Sequence, residues 1–259
     1  MIMEKKKRFC SSTLKRCYCC YRMKSIVIGG NGALGRALVS QLAKLKNRTV
    51  ISIDFAANIE AGHNILVKNK VNDNDIVANI EKLVTRTDAM VDSIFCVAGG
   101  WQGGNINDSN YKASIDKMFQ MNLDPALAAV HLASLSSLFT PSHGLVCLVG
   151  ANAALYNSDM KVNVNCSDML GYGLSKTSTH FLVSTLANDH KFKSTHTTIV
   201  GICPEIIDTE SNRKAMPTND FSKWTKPSDI ATKLTQWTAD VATRPESGSL
   251  ISIRGNNWV

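Results

Sequence analysis

A β-branched run, Ser25-Ile26-Val27-Ile28, breaks into the glycines of Gly29-Gly30-Asn31-Gly32-Ala33-Leu34-Gly35 and resumes with helical spacing at Leu34, Leu38, Leu42 and Leu45. Few folds use that succession. From Gly30 it reads G-x-G-x-x-G, and each glycine has a job: Gly30 for a tight turn, Gly32 for close approach of backbone to a pyrophosphate, Gly35 for helix-on-strand packing. The phosphates would rest on the N–H groups that open the helix, among them those of Asn31, Ala33 and Leu34. A second strand-like run, Thr49-Val50-Ile51-Ser52-Ile53-Asp54, ends in a carboxylate at close to the roughly 20-residue spacing at which a dinucleotide-binding βαβ unit holds a ribose 2′-hydroxyl. Asp54 would repel a 2′-phosphate. NADH is therefore the expected cofactor, with NADPH less favoured.

Charge narrows the function classes. The net charge of +8 is concentrated in residues 1–22, where Lys5, Lys6, Lys7, Arg8, Lys15, Arg16 and Arg22 oppose only Glu4. The remaining chain is nearly neutral, which removes most support for a nucleic-acid partner. Residues 1–23 read as a basic, cysteine-containing leader, and 24–259 as a single domain. The leader is expected to be a disordered tail or the product of an upstream start. A transit peptide, or acylation at Cys17, Cys19 and Cys20, are the alternatives. Its cysteines lack paired CxxC spacing and a nearby histidine, so no metal is expected. Cys96, Cys147 and Cys203 fall in or just after apolar runs, as single thiols of a reducing compartment do, and the expected location is the cytoplasm. No apolar stretch has the length of a membrane span.

Further along, His63 to Val67 reads as a third strand and Asp75 to Thr85 as a helix. Ser93-Ile94-Phe95-Cys96-Val97 is a fully apolar fourth strand that runs into Ala98-Gly99-Gly100-Trp101-Gln102-Gly103-Gly104, at the place where open α/β sheets bind ligands. Trp101 is read as a stacking surface for a planar ligand, with local packing as the alternative. Tyr111 to Leu138 has two helical stretches with Asp124-Pro125 between them, where proline should kink or restart the helix, one turn after Asn122. Gly144 to Val149 is the fifth strand, and Tyr156 to Asp168 reads as an exposed polar loop. Next comes Tyr172-Gly173-Leu174-Ser175-Lys176. On a helix, Tyr172 and Lys176 project from one face, where the ammonium is expected to lower the tyrosine pKa toward the range of a general acid.

In order and approximate spacing, Gly30-x-Gly32-x-x-Gly35, Asp54, Ala98-Gly99-Gly100, Asn122 and Tyr172-x-x-x-Lys176 resemble the short-chain dehydrogenase/reductase family. Over about Lys24 to Ile253 the chain is most similar to its pterin-reducing branch, notably at Cys96 to Asn105, Asn212 to Pro217, Phe221 to Thr225 and Ser247 to Ile251. Family members that reduce carbonyls usually carry a serine after the fifth strand. Ala151 stands about there, as the pterin-reducing branch leads one to expect. Tyr156 to Asp168 looks like an insertion, and Glu205 replaces a usual glycine after the sixth strand.

The resemblance implies a Rossmann-type, doubly wound, mostly parallel seven-stranded α/β sheet with helices on both faces. It implies NADH-dependent reduction of quinonoid dihydropterin to tetrahydropterin. Tyr172 and Lys176 would be catalytic, and Trp101 with Tyr172 would contact substrate. Gly30, Asn31, Gly32, Ala33, Leu34, Gly35, Asp54, Ala98, Gly99, Gly100, Lys176 and Thr209 would contact cofactor. Asn122 would shape the helix near Lys176, and Thr209 to Trp224 would form a lid. A homodimer paired through about Tyr111 to Leu138 and Gly171 to Asn188 is implied as well. The alternatives are a carbonyl or imine reductase of the same fold and a non-catalytic NAD(H)-binding sensor.

Overall fold

The apolar runs picked out above become strands of one sheet. The computed structural model describes residues 23–68, 78–82, 90–140, 142–155 and 166–259. The leader and the greater part of the 156–168 insertion lie outside these residues.

In chain order the elements are β1 (Met23–Ile28), α1 (Ala33–Ala43), β2 (Arg48–Asp54), β3 (His63–Leu66), β4 (Met90–Cys96), α2 (Tyr111–Met118), α3 (Asp124–Ser134), β5 (Leu145–Val149), α4 (Leu170–Ala187), α5 (His190–Ser194), β6 (Thr198–Pro204), α6 (Glu210–Ala215), α7 (Pro227–Ala239), β7 (Leu250–Arg254) and β8 (Asn257–Trp258). Residues 78–82 are helical, and the rest of the helix expected over Asp75 to Thr85 lies outside the described residues. The sheet order is β3-β2-β1-β4-β5-β6-β7-β8. All pairings are parallel except the last, where β8 turns back on β7. Eight strands therefore replace the expected seven. The addition is the two-residue β8, too short to leave a period in the sequence.

Strand alternation builds a core on each face. Ile26, Ile28, Ile51 and Ile53 lie in one cluster with Ala126 and Ala129 of α3 and Val183 of α4. Val27, Val50 and Phe95 lie in the other with Leu34, Leu38 and Leu42 of α1 and Ile230, Leu234 and Trp237 of α7. Strand order reverses between β1 and β4, the position of the ligand crevice in a doubly wound sheet. There the Ile28 carbonyl oxygen accepts the N–H groups of both Val97 and Ala98, at 2.9 Å each, and draws the two strand ends together.

A π-helical turn, Phe119–Leu123, joins α2 to α3, and α3 restarts at Asp124-Pro125, one of the two outcomes expected there. Pro125 sits in the first turn of α3, where its missing N–H breaks no helical bond. The irregularity falls one turn earlier, and Asn122 within it is buried.

Candidate active site

Four glycines shape the turn after β1, and they are not equivalent. Gly29 has φ +86°, and a methyl group on it would overlap the backbone of Ala98. The left-handed position of the turn is thus Gly29, one residue before the Gly30 at which the G-x-G-x-x-G pattern begins. A methyl on Gly30 would overlap the Ser52 hydroxyl, and one on Gly35 the Gly29 carbonyl oxygen. Gly32 differs: only Gly29 O, at 3.4 Å, lies near its absent Cβ. The chain itself does not require a glycine at the N-cap of α1, and the bare backbone there faces open space.

Asp54 ends β2 beside this turn. Its carboxylate accepts the N–H groups of Asn31 (2.7 Å) and Phe55 (2.6 Å), and Asn58 Nδ2 donates to Gly30 O at 2.7 Å. Asn58, isolated in a loop, carries no motif by which sequence could have found it. No side chain caps α1, so its opening turn suits an anion. An uncapped helix start, an open glycine and a carboxylate at the next strand end fit the diphosphate and ribose of a nicotinamide dinucleotide.

The second half of the site lies over β4 and β5. Asn122 Oδ1 accepts the Gly100 N–H at 2.9 Å, and its Nδ2 donates to Ser175 Oγ at 3.0 Å. Asn122 thereby couples the glycine loop after β4 to α4. A Cβ on Gly99 would lie 2.7 Å from Asn122 Oδ1 and 3.3 Å from Lys176 Nζ, so the lysine reaches the floor of that loop. The Gly104 N–H donates to Asp168 O at 2.8 Å and the Leu170 N–H to Gly104 O at 3.0 Å. These bonds tie the loop to the start of α4. Trp101 is 62% exposed, and its Nε1–H points at Met169 Sδ, 3.5 Å away. The ring is thus largely exposed and held at one edge by the residue before α4.

Lys176 is buried and donates to Val149 O at 2.8 Å, with Nζ 6.0 Å from the centroid of the Tyr172 ring. Burial pushes its pKa down to about 8. Burial also pushes the Tyr172 phenol up to about 12, the reverse of the expected direction. Desolvation of a phenolate outweighs an ammonium whose hydrogen bond goes to a carbonyl. Tyr172 is accordingly protonated at neutral pH, as a proton donor must be.

Ala151, at the position read as lacking a serine, is buried in the turn after β5. Its N–H donates to Nε2 of His180, on α4, at 3.1 Å. Burial, reinforced by the Lys176 charge, pushes the His180 pKa down to about 4. Sequence reading passed over His180 because one histidine on a mixed helix has no pattern.

Beyond β6, Thr209 caps α6 by accepting the Asn212 N–H at 3.2 Å. Arg213 grips Asp208 with Nε at 2.6 Å and Nη2 at 2.8 Å and lies 4.6 Å from the Phe221 ring centroid. The Asp208 N–H donates to Thr225 O (2.8 Å) and the Thr225 N–H to Ile206 O (3.0 Å), closing the base of this excursion.

Residues 24–220 match the family model described as short chain dehydrogenase. The chain belongs to this family of NAD(P)(H)-dependent oxidoreductases. Among individual proteins, it is 36% identical over 234 residues to the dihydropteridine reductase of Dictyostelium discoideum, spanning 90% of this chain and 95% of that one. Two solved structures share the fold. One is a short chain dehydrogenase family protein from Francisella tularensis (TM-score 0.69, 21% identity, 89% of this chain and 96% of that one). The other is BdcA in complex with NADPH (TM-score 0.69, 19% identity, 90% and 93%).

Proposed function

We propose that this protein reduces quinonoid 6,7-dihydropteridine, such as dihydrobiopterin, to the 5,6,7,8-tetrahydropteridine, with NADH as preferred reductant. The observation that carries this reading is a Tyr172–Lys176 pair on one helix face combined with Ala151 where carbonyl reducers have a serine. A quinonoid pterin is already a polarised, electron-poor ring and depends less on a hydroxyl to activate it. The 36% identity to a dihydropteridine reductase supports the same substrate class.

Gly30, Asn31, Gly32, Ala33, Leu34 and Gly35 would hold the pyrophosphate, Asp54 the adenosine ribose, and Ala98, Gly99, Gly100 and Thr209 the nicotinamide half. NADH, when bound, supplies the hydride. Tyr172 delivers the accompanying proton from its hydroxyl or orients the pterin, Lys176 holds the nicotinamide ribose, and Trp101 offers a face to the pterin. The segment from Thr209 to Trp224, braced by Arg213, acts as the lid that excludes water.

The test is NADH oxidation with quinonoid dihydropterin beside a panel of aldehydes, ketones and imines. Turnover of the pterin at least about tenfold above any carbonyl, in kcat/KM, is expected. Greater activity on a carbonyl or imine would overturn the substrate, and cofactor binding without turnover of anything would leave the sensor reading. Asp54→Asn keeps an acceptor for the Asn31 N–H and removes the charge, so the NADH-to-NADPH preference should fall by about tenfold.

A homodimer through α2, α3 and α4 is part of this reading. Leu127, Leu174 and Phe181 are exposed on these helices, Phe181 by 68%. An isologous contact would cover them. Phe181→Glu should yield a monomer in sedimentation, and an unchanged dimer would place the contact elsewhere. The free thiols of Cys96, Cys147, Cys166 and Cys203 support a reducing compartment such as the cytoplasm. Among the described residues no helix is long and apolar enough to cross a membrane.

A further inference from the structure

We propose that His180 is a positioning residue of this site: by accepting the Ala151 N–H it fixes the turn after β5, and with it the Val149 carbonyl that holds Lys176. The inference rests on the oxidoreductase reading above and adds a residue that the family motifs leave out. Tyr172, Lys176 and His180 stand four residues apart along α4 and so share one face. His180 is 6% exposed. Its Nε2 takes the Ala151 N–H at 3.1 Å and lies 3.3 Å from Cys203 Sγ. With Nε2 accepting, the hydrogen-bond network assigns the ring proton to Nδ1.

Gly150 shows how tightly the turn is seated. Its φ is not positive, yet a methyl there would overlap His180 Nε2 and lie 2.9 Å from Cys203 Sγ. The glycine is thus required by the imidazole beneath it rather than by backbone conformation. The Gly150 N–H donates to Ile202 O at 2.8 Å, so the turn is held to β6 on one side and to α4 on the other. Val149, the residue before Gly150, accepts Lys176 Nζ at 2.8 Å. Val149 is also paired with Ile202 in the sheet, and Asn152 Nδ2 donates to Ser252 Oγ of β7 at 2.9 Å; the imidazole adds the hold that comes from the helix carrying Lys176. Because residue 151 is alanine, this turn has no hydroxyl of its own with which to anchor itself.

The bond requires a neutral imidazole, since a protonated ring has no acceptor. The groups that face the ring are Lys176 on its own helix, Cys203 on β6 and the backbone of residues 151–154. Lys176 and burial both favour the neutral state, and Cys203 is itself held protonated by burial, its pKa raised to about 12.

The experiment compares His180→Leu, which removes the acceptor, with His180→Gln, whose Oε1 can replace it. The primary readout is NADH affinity by fluorescence, which needs no pterin, followed by kcat and KM. His180→Leu should weaken NADH about tenfold and lower kcat about tenfold, and His180→Gln should stay within about threefold of wild type in both. In the wild type, NADH binding should weaken as pH falls below about 5, because the imidazole gains a proton there. The glutamine variant should lack the part of that acid limb that the imidazole causes, leaving only what the Asp54 carboxylate adds. Equal losses in two folded variants, or no loss in either, overturn the proposal. If His180→Leu does not fold, the acid limb decides, measured in an Asp54→Asn background so that the ribose carboxylate does not contribute: its loss on adding His180→Gln supports the proposal and its persistence overturns it. A wild type that binds NADH but leaves dihydropterin unreduced would remove the proposed substrate and leave this comparison intact.

Discussion

Tyr172→Phe is expected to lower kcat for dihydropterin reduction about a thousandfold, within the range for loss of a general acid, while NADH affinity stays within about threefold. The variant removes one oxygen and leaves the ring, so the helix face and its packing persist. Lys176→Met is expected to cost both binding and turnover, because the ammonium, buried against Val149 O, is the charge assigned to the nicotinamide ribose. The pH profile separates the two roles. With its phenol pushed up to about 12, Tyr172 stays protonated throughout the assay range and contributes no alkaline limb. Lys176, pushed down to about 8, loses its charge as pH rises through that value, so turnover and NADH affinity should both fall there. Lys176→Met should lack the limb and Tyr172→Phe should keep it, at reduced rate. An alkaline limb that disappears only in Tyr172→Phe would reverse these assignments.

The stability consequence of Lys176 has the opposite sign. Its folded pKa lies below the ordinary lysine value of about 10.5, so between about pH 8 and 10.5 the unfolded chain binds the extra proton. The cost of burying this ammonium is present in full below pH 8 and disappears as pH rises through that window. Buried Cys203 and Tyr172, whose protonated forms the fold favours, act the other way at high pH, so the Lys176 contribution is read as the difference in melting temperature between wild type and Lys176→Met, which should narrow as pH rises above 8.

What sequence could show was whatever left a period or a fixed spacing. Apolar runs and glycine clusters gave β1, β2, β4, β5 and β6, and four-residue spacing put Tyr172 and Lys176 on one helix face. Features decided by contact in space were not legible. Gly29 has a positive φ and no room for a Cβ, because Ala98 in the loop after β4 lies against it. The π-helical turn at Phe119–Leu123 carries Asn122, whose amide bridges Gly100 and Ser175, residues far away in the chain. The direction of the Tyr172 shift depends on how much water the fold removes, which a spacing of four residues does not report. His180 is the extreme case: its meaning lies wholly in the Ala151 N–H that the fold brings to it.

Gly32→Ala and Gly35→Ala should fail in different ways, and the contrast tests whether the glycine turn is built for a ligand or only for the fold. A methyl on Gly35 overlaps the Gly29 carbonyl oxygen, so α1 must be pushed off β1, at about 3 kcal/mol by analogy with overpacked cores. For a chain of this length that corresponds to roughly 9 °C in melting temperature. A methyl on Gly32 meets nothing closer than 3.4 Å, and the cost of alanine at an N-cap is about 1 kcal/mol, or roughly 3 °C. That same methyl would stand where a pyrophosphate approaches the opening turn of α1, so NADH affinity should fall by about a hundredfold. The folding readout thus ranks Gly35→Ala as the more damaging variant, while the binding readout is severe at Gly32 despite its near-native stability. Near-native NADH binding in Gly32→Ala would mean that the dinucleotide does not lie over this turn. The carboxylate of Asp54, tied to the Asn31 N–H, would then serve only to hold the loop.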